Sequence, residues 1–329
     1  FCNYNKSKPM IRYYNLECVF SELDFLTRKK AKEIRIADAV FTSNLSRAKE
    51  IIRFMIVLKE KYNYIPTLFL ETYIQCIDDE FISLLGQMDS SDTQIYNIKQ
   101  LKDTDIAQMY SNMILGYKCI LCVGVQSLNP IVLKACNRYD PTIEKIQDYI
   151  LAINKYNIVL KIDLILGLPM ETKKSYLDGL RKLLSVFDGR DHILNIHILK
   201  VLPNTTLMDN YKKYNIVFDK NKNNVLETGT INRVTMFELK KITALLFRVI
   251  NSRFREDLFL ILNSGMDLYD LLLQIEKKLK NSNQLPELFL EYNEVLDDDY
   301  WNTAIFQDIK SKNLDRILRS IKVDNLIIN

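Results

Sequence analysis

LCVGVQSLNPIVLKACNRYDPTIEKIQDYILAINKYNIVLKIDLILGLP, residues 121–169, reads as strand, turn, helix, strand, turn. The first apolar run, Cys119 to Val125, ends in Gly124-Val125-Gln126-Ser127 and is followed by Asn129-Pro130. An amphipathic helix starts there and runs towards Asn137-Arg138. A second helical stretch, Thr142 to Tyr156, leads to another apolar run, Val159 to Leu166, closed by Gly167-Leu168-Pro169. Neither run alternates between apolar and polar, which is the pattern of strands buried on both faces of a parallel sheet. Apart from Lys161 and Asp163, polar side chains stand at or beyond the C-terminal ends of the runs. Open α/β sheets and α/β barrels hold their ligands at that edge.

The same rhythm extends outward. Glu17 to Lys30 reads as a helix with an apolar stripe and a basic end, and Glu33 to Ala37 as a strand ending at Asp38. Arg47 to Tyr62 is a second helix, Thr67 to Tyr73 a strand with Glu71 near its end, and Asp78 to Leu85 a further helix start. Beyond the central stretch, Lys174 to Phe187 reads as a helix and Leu194 to Leu202 as a strand. Strand and helix alternate with short loops, so the expectation is an α/β fold with a curved or barrel-like parallel sheet over residues 1–210. Residues 86–117 interrupt the rhythm as a polar loop or helical excursion. After Asp209 the character changes: 211–230 is polar and irregular, and Phe237 to Asn251, Leu258 to Asn281 and Asp299 to Ile321 read as helices. Residues 211–329 are therefore expected to form a mostly helical C-terminal extension.

The chain has 329 residues and a formal charge of +4, with lysines and acids interspersed, so nothing marks a nucleic-acid partner. No stretch near the N-terminus resembles a signal peptide and no apolar run approaches ~20 residues, so a soluble, cytoplasmic protein without a membrane partner is expected. The chain begins at Phe1 rather than Met, which suggests a non-native N-terminus. Asn, Lys and Ile are abundant and Gly is scarce, which reads as compositional drift. The six cysteines are scattered, so a disulfide framework is not expected. Cys119 and Cys122 have CxxC spacing, but residues three apart on a strand point to opposite faces, so they read as core packing.

Several residues carry chemistry. Gln126 and Ser127 offer an amide and a hydroxyl at a strand end, either to a polar ligand or to the following turn. Asp163 lies inside an apolar strand, where a carboxylate must face a polar cavity or pair with a cation. Glu71 and Asp38 hold similar strand-end positions, as ligand contacts or as caps. Arg138 is suited either to a bidentate carboxylate clamp or to a surface ion pair. His192 and His197 are too few for a histidine metal site, and His197 alternates along its strand towards the cavity side. The hydrolase, kinase, metalloprotease and dinucleotide motifs GxSxG, P-loop, HExxH and GxGxxG do not occur.

Three stretches then resemble a known family. GVQSLNPIVLKACNR (124–138), DLILGLPMETKKSYLDGL (163–180) and HILKVLPNTTL (197–207) are similar to the radical S-adenosylmethionine (radical SAM) superfamily. The similarity is to the branch with oxygen-independent coproporphyrinogen oxidase and the cobalamin-binding enzymes. EIRIADAVFTSN (33–44) resembles that branch's second strand. The opening Phe1-Cys2 resembles the end of its CxxxCxxC loop. The resemblance covers roughly residues 1 to 210 and implies a partial (β/α)6 TIM-like barrel.

It also implies a [4Fe–4S] cluster held by three cysteines and a bound S-adenosylmethionine cleaved to a 5′-deoxyadenosyl radical. By position, Cys2 is the cluster ligand and Phe1 an adenine-side contact. Asp38 falls near the methionine amino group, although the family's Gly-Gly-Glu is absent. Glu71, Gln126, Ser127, Arg138 and Asp163 line the ribose and carboxylate. Ile165 to Gly167 and Val201-Leu202 flank the adenine. Two cluster cysteines fall before residue 1, so an upstream part of the protein is expected. The implied activity is a radical enzyme, a cobalamin-dependent C-methyltransferase or a related modifying enzyme, supplied with electrons by a flavodoxin or ferredoxin. The alternatives are a cobalamin-free relative of coproporphyrinogen oxidase and a non-catalytic barrel that has lost its cluster. The substrate, small molecule or peptide, is not indicated.

Overall fold

The computed structural model describes residues 11–88, 117–138, 142–156, 158–187, 192–251, 255–281 and 316–321. Five strands form one sheet: β1 (Glu33–Ile36), β2 (Thr67–Thr72), β3 (Cys119–Gln126), β4 (Ile158–Leu166) and β5 (Ile193–Ile198). All are parallel and they lie side by side in chain order. Parallel neighbours need crossovers, and crossovers of one hand between strands in strict order put every helix on the same face. The sheet therefore curls into a partial (β/α) barrel with helices outside and a concave face within.

The two faces are visible in the core. Leu68, Leu70, Cys119, Leu121, Val123, Leu160 and Ile162 join the large cluster that the helices cover. The alternate residues Phe69, Ile120, Cys122, Val159 and Ile193 form a separate small cluster on the concave face. Cys119 and Cys122 thus point to opposite faces, as expected for packing residues.

The outer helices are α1 (Leu16–Arg28), α2 (Leu45–Tyr62), α3 (Asp79–Gln87), α4 (Pro130–Ala135), α5 (Ile143–Ile153) and α6 (Lys173–Phe187). Asparagine starts many of the chain's helices: Asn15, Asn44, Asn129 and Asn232 each accept a hydrogen bond from a first-turn amide. It also replaces glycine in left-handed turns. Asn63, Asn137, Asn204, Asn215 and Asn223 all have positive φ, which asparagine tolerates better than most residues. The asparagine content is therefore partly structural, not drift alone.

The strand expected to reach Leu202 stops at Ile198. Beyond it the backbone pairs with a returning segment: Val201 N donates to Asn223 O at 2.8 Å and Val225 N to Leu199 O at 2.9 Å. That segment belongs to a hairpin, β6 (Val217–Phe218) and β7 (Val225–Glu227), in a region that reads as irregular from sequence. A short helix, α7 (Thr206–Asn210), precedes it, and α8 (Arg233–Ile250) follows and packs on β5. At the end of α8, the Asn251 amide accepts from Leu194 N at 3.1 Å and donates to Leu194 O at 2.7 Å. A side chain thus fills the place of a further strand at this edge.

The stretch 258–281, expected as one helix, is two: α9 (Arg255–Asn263) and α10 (Leu268–Asn281). Gly265, with φ +95°, makes the break. Residues 89–116, most of the interrupting segment, and 299–315 of the last expected helix lie outside the described residues. No helix among the described residues is long and apolar enough to cross a membrane.

Candidate functional site

Strand register stacks the concave face in layers. At the floor, Phe69, Ile120 and Val159 are neighbours, with the Arg35 guanidinium 4.4 Å from the Phe69 ring centre. The next layer holds Glu71, Cys122, Lys161 and Ile193. Above it come Gly124, Asp163 and Asn195, and then Ile165 beside His197. Apolar residues thus close the barrel's bottom, and polar ones gather towards the C-terminal strand ends.

Asp163 is the centre of the polar group. Lys161 Nζ lies 3.2 Å from its Oδ1, Asn195 Nδ2 donates to the same oxygen at 2.7 Å, and His197 Nε2 is 3.7 Å away. Asn195 Nδ2 is also 2.8 Å from His197 Nε2. Burial alone raises the Asp163 pKa, but His197, the Lys161 charge and the Asn195 amide outweigh it and hold the carboxyl below its ordinary value. Glu71 is displaced the other way. Partial enclosure and the nearby Asp163 charge push its carboxyl up, against Lys161, Cys122 and His197. Two carboxylates in one groove are thus driven apart in acidity, a pattern that recurs where one group must carry charge and another a proton.

The end of β3 is irregular. Register slips between Gly124 and Gln126, and Ser127 N donates to Val125 O at 2.8 Å across Gln126, whose φ is +68°. Gln126 is therefore the centre of a γ-turn of the rare, strained kind. Such a conformation costs about 1–3 kcal/mol and clusters at functional sites. Its amide folds back over Gly124, where a Cβ would lie 2.4 Å from Gln126 Nε2 and 3.9 Å from Arg138 Nη2. Arg138 is anchored there by donating to Gly124 O at 2.9 Å. Glycine at 124 leaves the room that the Gln126 amide occupies, whereas Arg138 would meet an added Cβ only at ordinary contact distance.

The structure thus gathers Glu71, Gln126, Arg138 and Asp163 about the C-terminal part of the concave face. Ser127 is turned away: it is buried, and its hydroxyl donates to Glu171 Oε2 at 2.7 Å. Asp38 stands in an exposed loop after β1, its acidity weakened by partial burial and restored in part by Arg47. Leu202, 47% exposed, lies beyond β5, whereas Val201 beside it is buried. Gly167 turns with φ +93° beneath Met236, Val225 and Leu199, so the C-terminal extension covers that corner. Phe1 and Cys2 lie outside the described residues. Sequence reasoning missed Asn195 and gave Lys161 no role. The signal was present, since Lys161 and Asp163, like Asn195 and His197, are two apart on their strands and share a face. Glu171 was also missed.

The donor set fits a polar, multiply hydrogen-bonding ligand such as S-adenosylmethionine: carboxylates for hydroxyl or amino groups, a guanidinium for a carboxylate. It does not fit an iron–sulfur cluster. Among the described residues no three His, Cys, Asp or Glu side chains are placed to hold a metal. Cys119, Cys122 and Cys136 are buried, and burial pushes the Cys122 thiol up to about 12 and Cys119 further.

No family model and no curated protein matches the chain. Its fold is similar to that of solved structures at low identity. One is the radical S-adenosylmethionine methyltransferase TsrM from Kitasatospora setae, with tryptophan substrate and a SAM analogue bound. That likeness has 15% identity and a TM-score of 0.46, and covers 60% of this chain and 33% of that one. Another is coproporphyrinogen III oxidase (HemN) from Escherichia coli, a radical SAM enzyme, with 17% identity, 60% and 36% coverage, and a TM-score of 0.37. A third is the cobalamin-dependent S-adenosylmethionine radical enzyme OxsB, with 14% identity, 95% and 51% coverage, and a TM-score of 0.46. The chain spans a third to a half of the length of these proteins.

Proposed function

We propose that this chain is the S-adenosylmethionine-binding barrel of a radical SAM enzyme. One observation carries the reading: the three stretches that resemble the family converge on one groove. GVQSLNPIVLKACNR supplies Gln126 and Arg138 about Gly124, DLILGLP supplies Asp163, and HILKVLP supplies His197, 3.7 Å from Asp163. In this reading Asp163, kept ionised, accepts from ligand hydroxyl groups, and Arg138 pairs with the ligand carboxylate. Glu71, which keeps its proton to a higher pH, donates or accepts according to the ligand group it meets.

In this reading Cys2 would be one of the ligands of the cluster. The finer reading is a cobalamin-dependent C-methyltransferase or a related modifying enzyme, reduced by a flavodoxin or ferredoxin. The test is anaerobic purification of the full-length protein, with iron and sulfide counted, followed by reduction and incubation with S-adenosylmethionine. 5′-Deoxyadenosine is the expected product, and S-adenosylhomocysteine beside it would favour methyl transfer. An iron-free protein that leaves S-adenosylmethionine intact after reconstitution would reduce the barrel to a binding module.

A further inference from the structure

Gln126 sits in a conformation that a β-strand does not adopt unaided, so something must hold the turn. The restraint lies underneath it. Ser127, the next residue, is 6% exposed; its hydroxyl donates to Glu171 Oε2 at 2.7 Å, and its oxygen accepts from Asn129 N at 3.1 Å. Glu171 is 1% exposed and lies in the loop between β4 and α6. Its other carboxylate oxygen accepts from the Ser175 hydroxyl on α6, and its backbone carbonyl accepts from Thr230 ahead of α8. One buried carboxyl group therefore ties the end of β3 to α6, while its own backbone is tied to the C-terminal extension.

We propose that Glu171 is a positioning residue for the ligand groove: through Ser127 it holds the Gln126 γ-turn and so keeps the Gln126 amide over Gly124 beside Arg138. The proposal rests on the reading of this groove as an S-adenosylmethionine site. A role in packing alone would be poorly served by a carboxyl group. Burying one is costly, and an apolar side chain of similar size fills space better. What the carboxyl provides is two acceptor oxygens with fixed directions, one on each side of the turn's support. Without them, Ser127 has no anchor on that side. Gln126 is then free to leave positive φ, which carries its amide away from Arg138.

The test is S-adenosylmethionine affinity of the full-length, cluster-loaded protein, measured by anaerobic equilibrium dialysis for a set of variants. Glu171→Ala and Gln126→Ala should each weaken binding about tenfold, the loss of one hydrogen bond of ordinary strength. The double variant should bind no worse than Gln126→Ala, because both changes remove the same contact. Glu171→Gln keeps an oxygen for Ser127 and should restore most of the affinity. Independent, multiplying losses, or a folded Glu171→Ala that binds like the parent, would overturn the proposal. Should Glu171→Ala fail to fold, Ser127→Ala cuts the same link and takes its place in the cycle. A parent protein that does not bind S-adenosylmethionine would defeat the functional reading. The positioning role is then decided by a crystal structure of Ser127→Ala: residue 126 leaving positive φ supports it, and residue 126 unchanged overturns it.

Discussion

The Asn251 side chain makes two backbone hydrogen bonds with Leu194, taking one from its N–H and giving one to its carbonyl. Leu194 lies on β5, and the face of that strand away from β4 is the sheet's edge. A single amide here supplies the donor and acceptor that a sixth strand would have brought. Asn251→Leu should leave both groups buried without partners and cost about 2–4 kcal/mol. Urea denaturation checks this; a loss below ~1 kcal/mol would mean that water or a shifted helix end takes over the bonds.

Gly124→Ala should separate binding from stability. The added Cβ meets Gln126 Nε2 at 2.4 Å, but that atom is the tip of a flexible side chain and can swing aside. The folded state should lose less than ~1 kcal/mol. Ligand affinity should fall about tenfold as the Gln126 amide leaves its place. Thermal unfolding together with S-adenosylmethionine titration reads both, and an unchanged affinity would remove Gln126 from the site.

Glu171 gives a pH dependence of defined sign. Burial raises its pKa, against the pull of Ser175, Ser127 and Asn129. The folded protein therefore holds this proton to a higher pH than the unfolded chain. Its contribution to stability is fully present below the unfolded value and is lost as pH rises through the folded one. Glu171→Gln has no proton to lose. The stability of the parent relative to this variant should therefore decline as pH rises above the ordinary glutamate range. Denaturant midpoints across that rise test it, and parallel curves would place the Glu171 pKa near that of an exposed glutamate.

Thiol labelling tests the two faces of β3. Cys18 is exposed, whereas Cys119 and Cys122 are buried with thiols that resist ionisation. Since the thiolate is the reactive form, iodoacetamide at about pH 8 should modify Cys18 and spare both strand cysteines until the protein unfolds. Peptide mapping by mass spectrometry distinguishes them. Rapid modification of Cys122 in the native protein would mean that the groove floor opens to solvent.

The strands were legible because their apolar runs are bounded by punctuation: Gly167-Leu168-Pro169 after β4, Asn129-Pro130 after β3. Asp163 was legible because a carboxylate in such a run has few places to go. Other features depended on contacts between distant segments. Nothing local in Asn251 announces that it serves Leu194, 57 residues earlier. Glu171 reads as a loop residue until Ser127 is seen above it. The γ-turn at Gln126 leaves no mark in composition, since glutamine is not a residue selected for positive φ. The break in 258–281 was hidden because apolar spacing continues on both sides of Ser264-Gly265.

The edge sealed by Asn251 has a consequence for synthesis. About fifty residues separate the end of β5 from the side chain that covers it. At the ~5–20 residues per second of translation, β5 emerges several seconds before its cover exists. During that interval the nascent chain carries an unpaired strand edge, the feature most prone to stick to a neighbouring chain. A ribosome that stalls between Ile198 and Asn251 would prolong that exposure. Truncations in this interval should accordingly aggregate rather than yield a smaller soluble barrel.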